Sequence, residues 1–358
     1  MTGNLADSEF VEAWFRERIE QLLPDEPHTP TEVRVRDVNR MSRGVSRQTW
    51  TVDVEMDGRS VRRFAVRRDH EAGSIIASSL VDEFGVYRRL EGTGVPVARV
   101  LWFEDDPEWM PNGRPAYVRE LVDGDWRLPA LDDHSPEGDA ERIRLSKEHL
   151  DKLALVHGVD WLRQGFDTIL RVPDSPAHCA LNLMDQCSDQ IARYGVEPSP
   201  VLAEAMASLR ARAPQTCDRV VLCKGTNGLG EEVWRNGRIV AMSDWEMAAL
   251  ADPAYDFAQC QEMIPEIVRD GRRVWGLPEA LAYYAERTGT EIGVDRVAYY
   301  REFYGLLQFT YTQHVACTVR AMERAPLRFV WTATEVAFRS ELRMAKHFAG
   351  NLMKEGLA

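Results

Sequence analysis

Apolar residues first recur at helical spacing over residues 8–23, where Phe10, Val11, Trp14, Phe15, Ile19, Leu22 and Leu23 share one face. Ser8 and Glu12 supply a cap and an acidic first turn, and Pro24 ends the run. The period then shortens. Residues 32–67 read as strands, with Thr49–Val54 and Ser60–Arg67 flanking a turn at Asp57-Gly58. Helical spacing returns over 78–90 through Leu80, Val81, Phe84, Tyr87 and Leu90, and Gly94–Leu101 reads as a turn feeding a strand. Gly124–Ala140, polar and rich in Asp and Pro, reads as an exposed loop. From Glu141 the pattern is helical, with Leu150, Leu153, Ala154 and Trp161 on one apolar face and His157 within it. Helices are predicted over 182–194 and 199–212, and helical stretches over 255–265, 278–288 and 294–348. The aromatic residues Tyr299, Tyr300, Phe303, Tyr304, Phe309 and Tyr311 belong to the last stretch, where such a stripe is core before it is pocket.

One stretch, Val220–Ala258, breaks the helical pattern. It predicts a short apolar strand at 220–222, a glycine-rich turn from Lys224 to Gly230, a strand at 232–234, and a strand at 238–242 after Asn236-Gly237. Both residues of an Asn-Gly turn tolerate positive φ, so this is a strong hairpin signal. The last strand runs into Ser243-Asp244-Trp245-Glu246. Carboxylates at the end of an apolar strand are costly unless a cation or water meets them, which makes Asp244 and Glu246 candidates for a site.

The chain has 358 residues, more than one compact core usually holds, so two lobes are expected: 1–121 with an antiparallel sheet, and 122–358 mainly helical. The net charge of −13 argues against nonspecific nucleic-acid or anionic-membrane partners. No apolar run reaches the length of a membrane span, and the N-terminal residues carry no secretory pattern. The six cysteines (179, 187, 217, 223, 260 and 317) show no metal-ligand spacing, which suggests reduced thiols in a cytoplasm.

Val220–Ala258 resembles the catalytic segment of the aminoglycoside phosphotransferase-like family, whose pattern is His-Gly-Asp, an Asn five residues after that Asp, and Ile-Asp-Trp-Glu ending a strand. Aligned without gaps, Lys224-Gly225-Thr226 occupies the His-Gly-Asp place, Glu231 the Asn place and Ser243–Glu246 the Ile-Asp-Trp-Glu place. Asp252-Pro253-Ala254-Tyr255-Asp256 matches the Asp-Pro-X-X-Asp run that follows. The resemblance implies an α+β, bilobal protein-kinase-like fold, ATP and Mg2+ as cofactors, a small-molecule acceptor hydroxyl, and a nucleotide-binding role for the lobe 1–121. It further implies a phosphate-covering loop at 41–48 with Ser42, Gly44 and Ser46, and a phosphate-holding Arg67 paired to Glu83. The linker Tyr117–Gly124, with Glu120, would meet adenine through its backbone, and 178–210 would shape an acceptor pocket.

The departures matter as much as the match. Asp244 is kept as a metal ligand, and Glu231 offers a new oxygen ligand acceptable to magnesium. The family's catalytic base has become Thr226, whose hydroxyl can donate or accept hydrogen bonds but is no base near neutral pH. Lys224 would either stabilise phosphate charge or, if desolvated, serve as base or nucleophile, with Glu231 and Glu232 as possible partners. Three readings stay open: a small-molecule phosphotransferase with altered catalytic residues, an enzyme of another reaction such as elimination or hydration, and a noncatalytic binding protein.

Overall fold

The computed structural model describes residues 4–354 apart from 23–28, 42–45, 59–60, 71–72, 75, 77 and 229. The chain divides into two compact units, Met1–Glu91 with Val97–Asp123, and Gly92–Pro96 with Gly124–Ala358. The sequence had suggested a division after residue 121.

In the first unit, α1 (Ser8–Glu17) buries Phe10, Val11, Trp14 and Phe15. Asp7, not Ser8, caps it, accepting from the amides of Glu9 and Phe10. The predicted single helix breaks at Arg18, whose guanidinium leaves to hold Glu104 at 2.8 Å, and restarts as α2 (Ile19–Leu22). A five-stranded antiparallel sheet follows, in order β1-β2-β3-β5-β4. Its strands are β1 (Val33–Arg40), β2 (Arg47–Met56), β3 (Val61–Asp69), β4 (Val100–Glu104) and β5 (Ala116–Glu120). Helix α3 (Leu80–Leu90) stands between β3 and β4 in the chain, capped by Ser79. Trp14, Phe15, Val52, Val54, Phe64 and Trp102 meet in this unit's core, where Trp14 Nε1 donates to Glu104 at 2.9 Å. A buried indole N–H needs such an acceptor.

In the second unit, α4 (Pro136–His157) starts earlier than the apolar pattern suggests. Ser135 caps it by accepting from the Gly138 amide at 3.0 Å, and Pro136 takes the first helical position, where its missing N–H costs nothing. Helices α5 (Cys179–Tyr194) and α6 (Pro200–Ala211) match the two predicted helices, with Ser199 capping the second.

Next come β6 (Val221–Cys223), the hairpin of β7 (Glu232–Arg235) with β8 (Arg238–Met242), and β9 (Ala249–Ala251). The hairpin turns on Asn236 at φ 52° and Gly237 at φ 69°, the doubly left-handed geometry its sequence predicts. The strand β9 pairs with β6 and was missed, as three residues are too short for any period to show.

The predicted helical stretch 255–265 is only α7 (Ala254–Phe257) and a 3-10 turn at Cys260–Glu262. A second hairpin follows, β10 (Ile267–Arg269) and β11 (Arg272–Trp275), turning on Asp270 and Gly271 at φ 51° and 71°. Helices α8 (Leu277–Thr288) and α9 (Val294–Arg320) come next. The predicted 294–348 run then stops; Pro326 precedes a restart through α10 (Leu327–Trp331), a π-helical segment Thr332–Val336 and α11 (Ala337–Lys354).

Candidate functional site

The pairing of β6 with β9 sets Cys223 opposite Ala249, so the loop leaving β6 lies against the loop entering β9. Gly225 makes this approach possible. Its φ is 80°, and a Cβ there would sit on the carbonyl of Met247. Asp256, on α7 and fully buried, organises the loop: its carboxylate accepts from the amides of Lys224 (2.8 Å) and Gly225 (2.7 Å), and from Asn227 Nδ2 (3.0 Å). His157 Nε2 lies 2.9 Å from the same carboxylate, and His157 Nδ1 lies 2.7 Å from the Tyr284 hydroxyl. These contacts hold Asp256 below its ordinary pKa against the opposing effect of burial. His157 is thus structural. His157, Cys223 and Asp256 lie close enough to bind a metal ion, but the imidazole nitrogens and the carboxylate already have protein partners.

The structure brings Lys224, Thr226, Glu231 and Asp244 to one place through the β7–β8 hairpin. The Ser243 amide donates to the Glu231 carbonyl at 2.8 Å, which closes the hairpin beside Asp244. Asp244 has φ 65°, a left-handed conformation that a non-glycine residue adopts at a cost. Its side chain is hydrogen-bonded to the Glu231 carboxyl. Burial, and then the neighbouring Asp244 charge, raise the Glu231 pKa well above the carboxylate range. The Thr226 hydroxyl donates to the Asp244 carbonyl and lies 3.3 Å from Lys224 Nζ.

Lys224 differs from the expectation of a phosphate-facing ammonium. It is fully buried; its ammonium donates to the Thr226 carbonyl, lies over the Trp245 ring and sits 3.7 Å from Glu232 Oε1. Glu232 is equally buried, and neither carboxylate oxygen makes a hydrogen bond among the described residues. Burial pushes its pKa up to about 7, with Lys224 opposing. His149 Nδ1 is 3.7 Å from the same oxygen, and burial beside the Lys224 charge depresses that imidazole to about 3, so it is neutral. Sequence reasoning missed His149 as a member of this cluster and gave Glu232 only as a partner of Lys224. A histidine one position from Leu150 on an apolar helix gives no sign of what it faces.

In the first unit the expected Arg67–Glu83 pair is present, Nε to Oε1 at 3.0 Å, with Glu83 fully buried. Tyr117 donates its hydroxyl to the same oxygen at 3.0 Å. Arg47, given no role by the sequence, takes the other oxygen at 2.5 Å. Glu120 ends β5 opposite Phe64 and is half-buried. Ser46 is described and half-buried just before β2, whereas Ser42 and Gly44 lie outside the described residues.

The model of the phosphotransferase enzyme family matches residues 37–300, most of the chain and all of the loop just described. The chain belongs to this family. Its fold is the protein-kinase-like fold shared by solved members. A Ralstonia eutropha protein assigned as an aminoglycoside phosphotransferase superposes with a TM-score of 0.64 at 21% identity, covering 96% of this chain and 98% of that one. The aminoglycoside phosphotransferase APH(4)-Ia, in a ternary complex with ADP and hygromycin B, gives 0.58 at 15% identity over 95% and 98%. A macrolide 2'-phosphotransferase type I gives 0.54 at 16% over 90% and 99%. Among the described residues, no helix is long and apolar enough to cross a membrane.

Proposed function

We propose that the protein is an ATP- and Mg2+-dependent phosphotransferase acting on a hydroxyl of a cytoplasmic small molecule, with an altered catalytic loop. The observation that carries this reading is the juxtaposed carboxyl pair of Glu231 and Asp244. Two adjacent, half-buried carboxyls gain from a divalent cation, which neutralises both, and oxygen donors suit magnesium. When bound, the ion would supply charge neutralisation for the transferred phosphoryl group. Asp244 and Glu231 would hold it; Arg67 and Ser46 are assigned to phosphate, with Ser42 and Gly44, and the linker around Glu120 to adenine.

In this reading Thr226 is a positioning residue. Its hydroxyl is held by Lys224 Nζ and the Asp244 carbonyl, so it orients the turn at Asp244 and does not take a proton from the acceptor. Loss of a general base costs about 10²–10⁴ in rate, and the remaining rate rests on placement and charge. The tied hydroxyl also favours a second reading, nucleotide binding without turnover.

The test is calorimetric titration with ATP, with and without magnesium, on the wild type and Asp244→Ala. Magnesium-dependent binding lost in the variant supports the proposal. Equal binding in both proteins, or none in either, ends it. Phosphate release or acceptor phosphorylation in a metabolite-pool assay then separates turnover from binding alone.

A further inference from the structure

Arg47 ties β2, the end of β3 and the start of α3 together through one side chain. Its side chain is completely buried. Nε donates to Asp69 Oδ1 at 2.8 Å, directly across the β2–β3 ladder. One terminal nitrogen donates to Glu83 Oε2 at 2.5 Å. The other meets the Ser78 carbonyl at 3.0 Å and the Ser78 hydroxyl at 2.9 Å. A buried guanidinium is tolerated only when its donors are met in this way.

This arrangement divides Glu83 between two arginines. Oε2 faces Arg47, and Oε1 faces Arg67 and the Tyr117 hydroxyl. With a single arginine, removing it would leave a buried carboxylate without a cation and release α3. Here Glu83 keeps a charged partner and a phenol when Arg67 is removed. Arg67 is also the more exposed of the two, at 14% of its side chain against none for Arg47.

We infer that Arg47 is a positioning residue that fixes Glu83 and α3, so that Glu83 keeps a charged partner when Arg67 engages the phosphates of the nucleotide. The second half rests on the phosphotransferase reading; the first stands on the contacts alone. The planar fork matters, since lysine cannot reach Asp69, Glu83 and Ser78 together.

Two measurements on the full chain test this. The first is amide hydrogen exchange over residues 80–90 without nucleotide. Arg47→Met should speed exchange there by about ten-fold or more, as loss of a charged buried contact does, with Arg67→Ala changing it by less than about three-fold. Equal loosening by the two variants would overturn the inference. The second is titration with Mg-ATP and, separately, with adenosine. Arg47→Met should lower ATP affinity by about ten-fold and leave adenosine affinity within about two-fold, because Arg67, already on Glu83, becomes the sole arginine holding that buried carboxylate and leaves it for phosphate at a cost. Arg47→Lys should lie between. A structural role alone predicts parallel losses for both ligands, which would refute the positioning. If the wild type prefers ATP to adenosine by nothing, the nucleotide reading falls, and the exchange measurement alone decides whether Arg47 holds α3.

Discussion

Removing the ammonium of Lys224 while keeping the length of its stem, as in Lys224→Met, strands Glu232 in the interior. At 3.7 Å, and with an effective dielectric of about 20, the attraction between the two charges is about 4.5 kcal/mol. Breaking one side of a fully buried pair costs about 3–5 kcal/mol, out of a total stability of about 5–15 kcal/mol. Lys224→Met and Glu232→Leu should each destabilise by that amount, and the double variant should lie within about 1 kcal/mol of the wild type, since an apolar pair needs no partner.

The pH dependence carries the sharper signature. Glu232 is raised from 4.5 to about 7, so the folded state holds a proton that the unfolded state has released. Its contribution is present below about pH 4.5 and is lost as pH rises through 7. In Lys224→Met the opposing ammonium is gone and the carboxyl stays protonated to higher pH. The penalty of Lys224→Met should therefore shrink between pH 7.5 and 5.5, and that of Glu232→Leu should not. Urea unfolding followed by circular dichroism at both pH values measures this. Single penalties that add to the double within about 0.5 kcal/mol would show that the two groups do not interact.

Further outcomes follow from the same loop. Asp256→Asn turns an acceptor of two backbone amides into a partial donor; a loss above about 3 kcal/mol, read as a fall in denaturation midpoint, is expected, and a neutral result would remove Asp256 as the loop's anchor. His149 is depressed from 6.5 to about 3, so the unfolded state binds its proton first and stability falls as pH drops through that window; His149→Leu should bind about one proton fewer on unfolding between pH 4 and 6, by potentiometric or calorimetric linkage. Thr226→Asp places a carboxylate within reach of Lys224 Nζ and should raise any acceptor-dependent ATP turnover by about 10²-fold or more if only the base is lost; an unchanged rate would mean that the loop serves other chemistry. Glu231→Gln removes one ionic ligand, so magnesium-dependent stabilisation by ATP, measured as a thermal shift, should weaken by several degrees; no change would exclude Glu231 as a ligand.

Local signals carried much of the fold. Asn236-Gly237 predicts its hairpin because two consecutive left-handed residues leave the backbone few alternatives, and Asp270-Gly271 carries the same signal in the stretch 266–277, where no period predicts an element. Ser135-Pro136 marks a helix start that apolar spacing alone falls short of, and Pro326 a break that it overruns. Where the physics is local to two or three residues, the sequence is sufficient, and the overlong helical readings at 255–265 and across 321–326 come from letting period outweigh those residues.

The candidate site divides in the same way. The chain alone determined that a carboxylate ends an apolar strand at Asp244 and that position 226 holds a hydroxyl, and the family resemblance added that Arg67 on a strand has an acidic partner, Glu83, on the next helix. Only the tertiary structure decided that Lys224 turns inward to Glu232 and His149, that Glu231 meets Asp244, and that Arg47 shares Glu83 with Arg67. The reason is desolvation: a charge's role depends on which groups replace its water, and those groups come from positions tens of residues away that no local period or spacing connects.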